Sequence, residues 1–184
     1  MTLWPAISTQ IEQATGQPFV MRTEQAVGGG CINRASHISD GQREFFVKLN
    51  SARYGDMFEV EYLSLLEMAA SNTIRVPEPV CHGEADGQAF LVLEYLPLKG
   101  RPDAELQGQQ LAAMHRHFGE RFGWQRDNTI GSTPQYNQPR GNSGHDWVTF
   151  WREQRLLPQL QLAQQNGYGR SLGIMDRLLA DFPR

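Results

Sequence analysis

REFFVKLN, residues 43–50, sets a cation inside a run of β-favouring apolar residues. Strand alternation sends Phe46 and Lys48 to one face and Phe45, Val47 and Leu49 to the other, so the ammonium leaves the strand toward whatever covers that face. A lysine snorkelling to solvent from an edge strand gives the same pattern. The next segment, Gly55 to Ala70, reads as one long helix with Phe58, Tyr62, Leu65 and Ala69 along its apolar stripe. Glu61 falls about 60° from the centre of that stripe, bracketed by Leu65 and Met68, whereas Glu59 falls about 100° away. A carboxylate on a buried flank is costly to leave ionised and unpaired, which makes Glu61 the expected partner of Lys48.

Working outward, FVMRTEQAV (19–27), ASHISD (35–40) and AFLVLEYL (89–96) supply further strands. Strands, a helix and strands again predict an α+β lobe, a small antiparallel sheet carrying a helix on one face. PLKGRPDAE (97–105) has the Pro, Gly and charge of a connector, and no good strand candidate follows it. Helical spacing recurs over 105–122 and 145–165, and the last segment, SLGIMDRLLADFPR, reads as helical to Phe182. Between the first two helices, GWQRDNTIGSTPQYNQPRGNSG is rich in turn residues and reads as loop. The expected organisation is a strand-rich domain over 1–96, a hinge over 97–105 and a partial helical lobe over 106–184.

Seventeen Lys and Arg against twenty Asp and Glu, a net charge of −3 over 184 residues, leave no concentrated basic face of the kind that displaces counterions from nucleic acid. No apolar run approaches the roughly 20 residues of a membrane span, and the N-terminus lacks a signal-peptide pattern, so a cytosolic location and no membrane partner are expected. Cys31 and Cys81 are too few and too far apart for a disulfide framework or a zinc site and read as free thiols.

VGGGCIN, residues 27–33, lies between two predicted strands. Consecutive glycines let several backbone N–H groups turn toward one oxygen-rich group, a phosphate cradle in principle, although three glycines between strands also make a plain hairpin turn. AFLVLEYL is a nearly continuous apolar strand, and where it leaves the sheet the backbone of Glu94, Tyr95 and Leu96 could hydrogen-bond a flat heterocycle. The order of glycine-rich hairpin, strand lysine, helix glutamate, apolar strand and hinge is that of the nucleotide-binding lobe of a kinase.

TLWPAIS, GGGCIN, FFVKLN, MFEVEYLSL, TIRVPEPV, LVLEYL, LAAMHR, FGWQRDNTIGSTPQYN and DWVTFWREQRLLPQL together resemble the fructosamine kinase family, in its bacterial form, within the protein-kinase-like and aminoglycoside-phosphotransferase-like superfamily. The resemblance implies a protein-kinase-like fold and ATP-dependent phosphorylation of a sugar hydroxyl on a ketosamine, with Mg²⁺ as cofactor. It implies that Lys48 contacts the α and β phosphates and that Glu61 orients Lys48. Gly28, Gly29, Gly30, Cys31, Ile32 and Asn33 would then arch over the nucleotide, and Glu94, Tyr95 and Leu96 would form the adenine hinge. A thiol at Cys31 beside phosphate-facing amides reads either as an inert thiol or as one with thiolate character whose oxidation would switch the loop off.

The chain departs from that pattern in one respect: none of His37, His82, His115, His117 and His145 begins a His-Gly-Asp segment. No catalytic residue is therefore expected within these 184 residues. The base and metal ligands are expected beyond Arg184, and the chain is expected to behave as an inactive fragment with at most weak nucleotide affinity. The alternatives are an aminoglycoside- or choline-type phosphotransferase and a non-catalytic, pseudokinase-like nucleotide-binding module. Trp124, Trp147 and Trp151 are residues that could stack on a sugar, but Trp147 and Trp151, four apart on a helix, read rather as core; Asn128, Gln135 and Asn137 read equally as loop polarity or as walls of a substrate pocket.

Overall fold

The computed structural model describes residues 2–28, 32–101, 103–141 and 143–168, together with Gly173, Arg177 and Ala180. The chain divides into two compact units, Met1–His117 and Phe118–Arg184. The final segment expected to be helical lies almost wholly outside the described residues.

The first unit is built on a five-stranded sheet in the order β1-β2-β3-β5-β4, antiparallel throughout. Its strands are β1 (Thr23–Val27), β2 (Arg34–Ser39), β3 (Glu44–Ser51), β4 (Pro79–Ala85) and β5 (Gln88–Glu94). Helix α2 (Gly55–Ala70) follows β3 with the bounds read from the sequence. A second helix, α1 (Leu3–Thr15), is an addition to the expected lobe. Its Leu3, Ile7 and Ile11, spaced by four, are buried against Phe45, Val47, Leu49, Phe90 and Val92 on one side of the sheet. Gly16 ends it in the left-handed region, φ 69°, and its N–H donates to the Glu12 carbonyl.

Helix α2 covers the other side, where Phe58 and Leu65 meet Ala89, Leu91 and Leu93. Strand β5 therefore buries alternate residues in two different cores, which is why its sequence reads as continuously apolar. Along the helix, Val60 is buried in place of the expected Ala69, which is exposed because it lies in the last turn. Strand β4, also additional, enters through Asp86 and Gly87, whose positive φ values of 53° and 71° make the tight hairpin to β5.

Helix α3 (Ala104–Met114) starts at Asp103, whose carboxylate accepts the Leu106 N–H at 3.0 Å. It is shorter than the 105–122 helix read from the sequence. It buries none of its residues, and the N–H groups of His115, Arg116 and His117 fold back onto Leu111, Ala113 and Met114, closing it in a tight turn. It is grouped with the first unit.

In the second unit the stretch expected to be loop contains a short hairpin, β6 (Asn128–Ile130) and β7 (Thr133–Gln135), turned at Gly131 with φ 63°. Helices α4 (Trp147–Trp151) and α5 (Leu157–Gln165) are joined by a π-helical turn, residues Arg152–Leu156. Pro158 explains that turn. It has no N–H to offer the Gln154 carbonyl four residues back, and its ring would crowd that carbonyl in a regular helix. The Leu157 N–H bonds instead five residues back, to Arg152, and the Arg155 guanidinium takes the Gln154 carbonyl at 3.0 Å. Trp147 is half exposed, contrary to the core reading, although at the first helical position its ring lies against those of Phe122 and Trp151 at 5.3 and 5.4 Å between ring centres.

Candidate nucleotide-binding site

Phe45, Val47 and Leu49 of β3 are buried in the α1 core, so Phe46, Lys48 and Asn50 face the α2 side. Register places Ala35 of β2 and Leu91 of β5 beside Lys48, and His82 of β4 beside Leu91. Helix α2 spans β4 and β5, with Tyr62 against His82 at 4.9 Å, and this seats Glu61 toward β3.

The Lys48 Nζ donates to both carboxylate oxygens of Glu61, at 2.6 and 2.9 Å. The two side chains are only 24% and 32% exposed. Charge-assisted bonds at these lengths, partly withdrawn from water, fix the direction of the ammonium far better than a surface ion pair does. Among the described residues the third ammonium N–H is left for another acceptor.

Asn50, one strand period beyond Lys48, anchors the far foot of the glycine-rich segment. Its amide donates to Asn33 Oδ1 at 2.7 Å and to the Ile32 carbonyl at 3.2 Å. Its own carbonyl oxygen accepts the Ser51 N–H at 2.8 Å, which sets the amide orientation. Asn50 is absent from the sequence-based expectations, although its place two residues after Lys48 put it on the same face. Of the loop itself, Gly28, Ile32 and Asn33 are described; Gly29, Gly30 and Cys31 lie outside the described residues.

At the exit of β5 the expectation of free backbone groups needs correcting at Glu94. Its N–H donates to the Glu78 carbonyl at 2.8 Å, and its carboxylate pairs with Arg75 and accepts the Glu78 N–H at 3.2 Å. The strand end is tied into the loop before β4, so its N–H cannot serve a ligand. Tyr95 stacks on His37 of β2, with ring centres 3.8 Å apart and planes within 13°. The His37 Nε2 is buried without a hydrogen bond and lies 3.4 Å from a Glu44 carboxylate oxygen.

Among the described residues no three His, Cys, Asp or Glu side chains gather as a metal site would require. Cys81 packs in the α1 core, where burial pushes its thiol up to about 12, a value for an inert hydrophobe rather than a nucleophile. No helix among the described residues is long and apolar enough to cross a membrane.

In the second unit Asn128, Gln135 and Asn137 come together. Asn137 Nδ2 donates to Asn128 Oδ1 at 2.9 Å and to the Arg126 carbonyl at 3.1 Å. Its Oδ1 accepts Arg155 at 2.7 Å and Gln135 Nε2 at 3.5 Å. Asp127 accepts the N–H groups of Asn137 and Gln138 at 2.7 and 2.9 Å. Burial lowers the Arg155 pKa from its ordinary value, and the Asp127 carboxylate opposes that shift.

A five-stranded antiparallel sheet whose third strand offers a lysine to a glutamate on the helix that follows defines a protein-kinase-like fold. Two solved structures share the fold of this chain. One from Haemophilus somnus, of a protein assigned as a fructosamine-3-kinase, superposes with a TM-score of 0.80 at 27% identity over 90% of this chain and 56% of its own. Another of the same assignment, from Thermobifida fusca, gives 0.69 at 26% identity over 97% and 64%.

The chain belongs to the fructosamine kinase family, whose model matches residues 3–184. A Synechocystis protein named a probable ketoamine kinase is 48% identical over 88% of this chain and 55% of its own length. The chloroplastic protein-ribulosamine 3-kinase of Arabidopsis thaliana is 44% identical over 79% and 44%. The chain thus spans about half the length of the curated relatives it matches.

Proposed function

We propose that this chain carries the ATP-binding part of a ketosamine kinase, and that the whole protein transfers the γ-phosphoryl group of ATP to a sugar hydroxyl of a glycated amine. The observation that carries the reading is the Lys48–Glu61 pair beside a glycine-rich segment whose foot Asn50 holds. Glu61 aims the ammonium, leaving an N–H for the α and β phosphate oxygens, and the Gly28–Asn33 segment would supply backbone N–H groups to them. The base of the nucleotide would lie toward Glu94, Tyr95 and Leu96, whose backbone groups would form the hinge, with the Glu94 N–H itself already given to the Glu78 carbonyl.

The described residues furnish no cluster of three potential ligands and the chain has no His-Gly-Asp segment, so no side chain of this chain is assigned to Mg²⁺. The metal ligands and the base that accepts the hydroxyl proton would come from sequence corresponding to the remainder of the relatives' length. On this reading the chain by itself binds nucleotide and does not turn it over, its role in the whole protein is deglycation, and its compartment is the cytosol.

Titration of the 184-residue chain with ATP, with and without Lys48→Met, tests the nucleotide site. The wild-type chain binds and the variant loses about tenfold or more in affinity. Equal binding by the two would remove the basis of the reading. For the whole protein, ATP consumption on fructosyl-lysine against an aminoglycoside ranks the acceptors, and preference for the aminoglycoside would overturn the substrate.

A further inference from the structure

A cleft of about 370 Å³ in the second unit is bordered by the β6–β7 hairpin on one side and by the π-helical turn and the start of α5 on the other. We propose that this cleft is a subsite for the polyhydroxylated sugar portion of the substrate, an inference that rests on the sugar–amine reading above and gives that sugar a place.

Three amide residues, Gln135, Gln154 and Gln159, line the cleft with Thr133 and Trp151, in walls that are otherwise mainly apolar. Each amide offers donors and an acceptor together, which suits hydroxyl groups that both give and take a hydrogen bond. An indole supplies the flat apolar surface on which the C–H face of a sugar ring lies. The volume is at the low end of the range for small-molecule sites, suited to one sugar ring rather than a nucleotide. Charge points the same way. No carboxylate borders the cleft among the described residues, which argues against a metal or an ammonium group. The cation that does border it, Arg155, is committed to the carbonyls of Tyr136 and Gln154 and to Asn137 Oδ1, which argues against a phosphate.

Gln154 is 4% exposed, and a primary amide so deeply placed beside an open cleft has poor access to bulk water. It lies there because the π-helical turn rotates the helix about residues 152–156, a distortion found often where a helix presents a ligand-binding side chain. The two walls are also held to each other. Arg155, from the helical wall, bonds the Tyr136 carbonyl and Asn137 Oδ1, just beyond the hairpin. The cleft is therefore formed before any ligand arrives, which lowers the ordering cost of binding.

Saturation-transfer NMR on the 184-residue chain, with fructosyl-lysine, free fructose and free lysine as probes, tests the assignment. Saturation should reach the sugar protons of fructosyl-lysine and fructose, and lysine alone should show none. Gln154→Leu should weaken fructosyl-lysine binding about tenfold, and Gln159→Ala, at an exposed position, about threefold. No transfer to either sugar in the wild-type chain, or transfer unchanged in Gln159→Ala and in a folded Gln154→Leu, overturns the inference. An ATP titration on the same wild-type sample keeps the two readings apart. Lys48-dependent ATP binding, together with sugar binding that ignores the cleft substitutions, defeats this inference alone. Sugar binding that requires Gln159, in a chain with no response to ATP, defeats the nucleotide reading alone.

Discussion

Replacing Lys48 by Met and Glu61 by Gln, singly and together, measures what the pair contributes to the first unit. At about 3 Å and an effective dielectric near 20, Coulomb attraction alone would be about 5 kcal/mol. Most of it is offset by the desolvation of two groups left only 24% and 32% exposed and by the ordering of two long side chains. Fully exposed pairs measure about 0.2–1 kcal/mol and the loss of one member of a buried pair about 3–5, so a pair between those limits should couple by about 1–2 kcal/mol. Amide hydrogen exchange of β3 and β5 is the suitable assay, because it reads the stability of this sheet without requiring the two units to unfold together. The coupling should also survive 1 M salt better than an exposed pair would. A coupling energy below about 0.3 kcal/mol, within the error of additivity, would show that the contact orders nothing, and the argument that Glu61 aims the ammonium would fail.

Ile7→Ala, on the buried face of α1, should cost the first unit about 2–4 kcal/mol in urea unfolding followed at Trp4, because the residue is wholly buried against the sheet. Gly123→Ala should destabilise the second unit by about 3 kcal/mol, seen as a lower melting temperature in the fluorescence of Trp124, Trp147 and Trp151. Its φ is 98°, and a Cβ there would stand 2.1 Å from the Asn137 carbonyl oxygen and 2.8 Å from the Phe150 ring. Asp40 has a lowered carboxyl pKa, first through the Arg43 N–H it accepts. Its folded value thus lies below the unfolded one near 3.8, and the stability it confers is complete above that pH and lost as pH falls through the depressed value. Asp40→Asn should accordingly flatten that part of the acid unfolding curve. Cys81 should resist alkylation at pH 8 in the folded protein and react once urea unfolds it.

The central elements of the first unit were legible because burial imposes a period on them. β3 alternates between two cores, α2 presents Phe58 and Leu65 to one of them, and Lys48 and Glu61 interrupt those patterns at facing positions. Strand β4 was missed because Gly83 and Glu84 dilute its apolar content, yet the Asp86–Gly87 pair that turns it into β5 was in plain view. The Leu3, Ile7, Ile11 spacing of α1 was equally available. The tie between Glu94 and Glu78 was not. It joins backbone and side-chain groups sixteen residues apart, and neither residue type nor periodicity announces such a bond.

The second unit is harder to read for a reason that lies in its chemistry. Its buried set includes Phe150 and Leu160 but also Asn137, Ser143 and Gln154, so its loops are held by hydrogen bonds more than by an apolar stripe. Pro158 links the two halves of that arrangement. By withholding an N–H from the Gln154 carbonyl it creates an acceptor that Arg155 must satisfy, and in reaching it the guanidinium also meets the Tyr136 carbonyl and Asn137. A helix defect and a loop conformation thus share one cation. Lysine is not equivalent there, because the three acceptors are divided between two guanidinium nitrogens held in one plane, whereas an ammonium presents all its donors from a single nitrogen. The same exchange opens the helix where Gln154 borders the cleft, so the irregularity that hides this unit from periodicity is also what shapes that cleft.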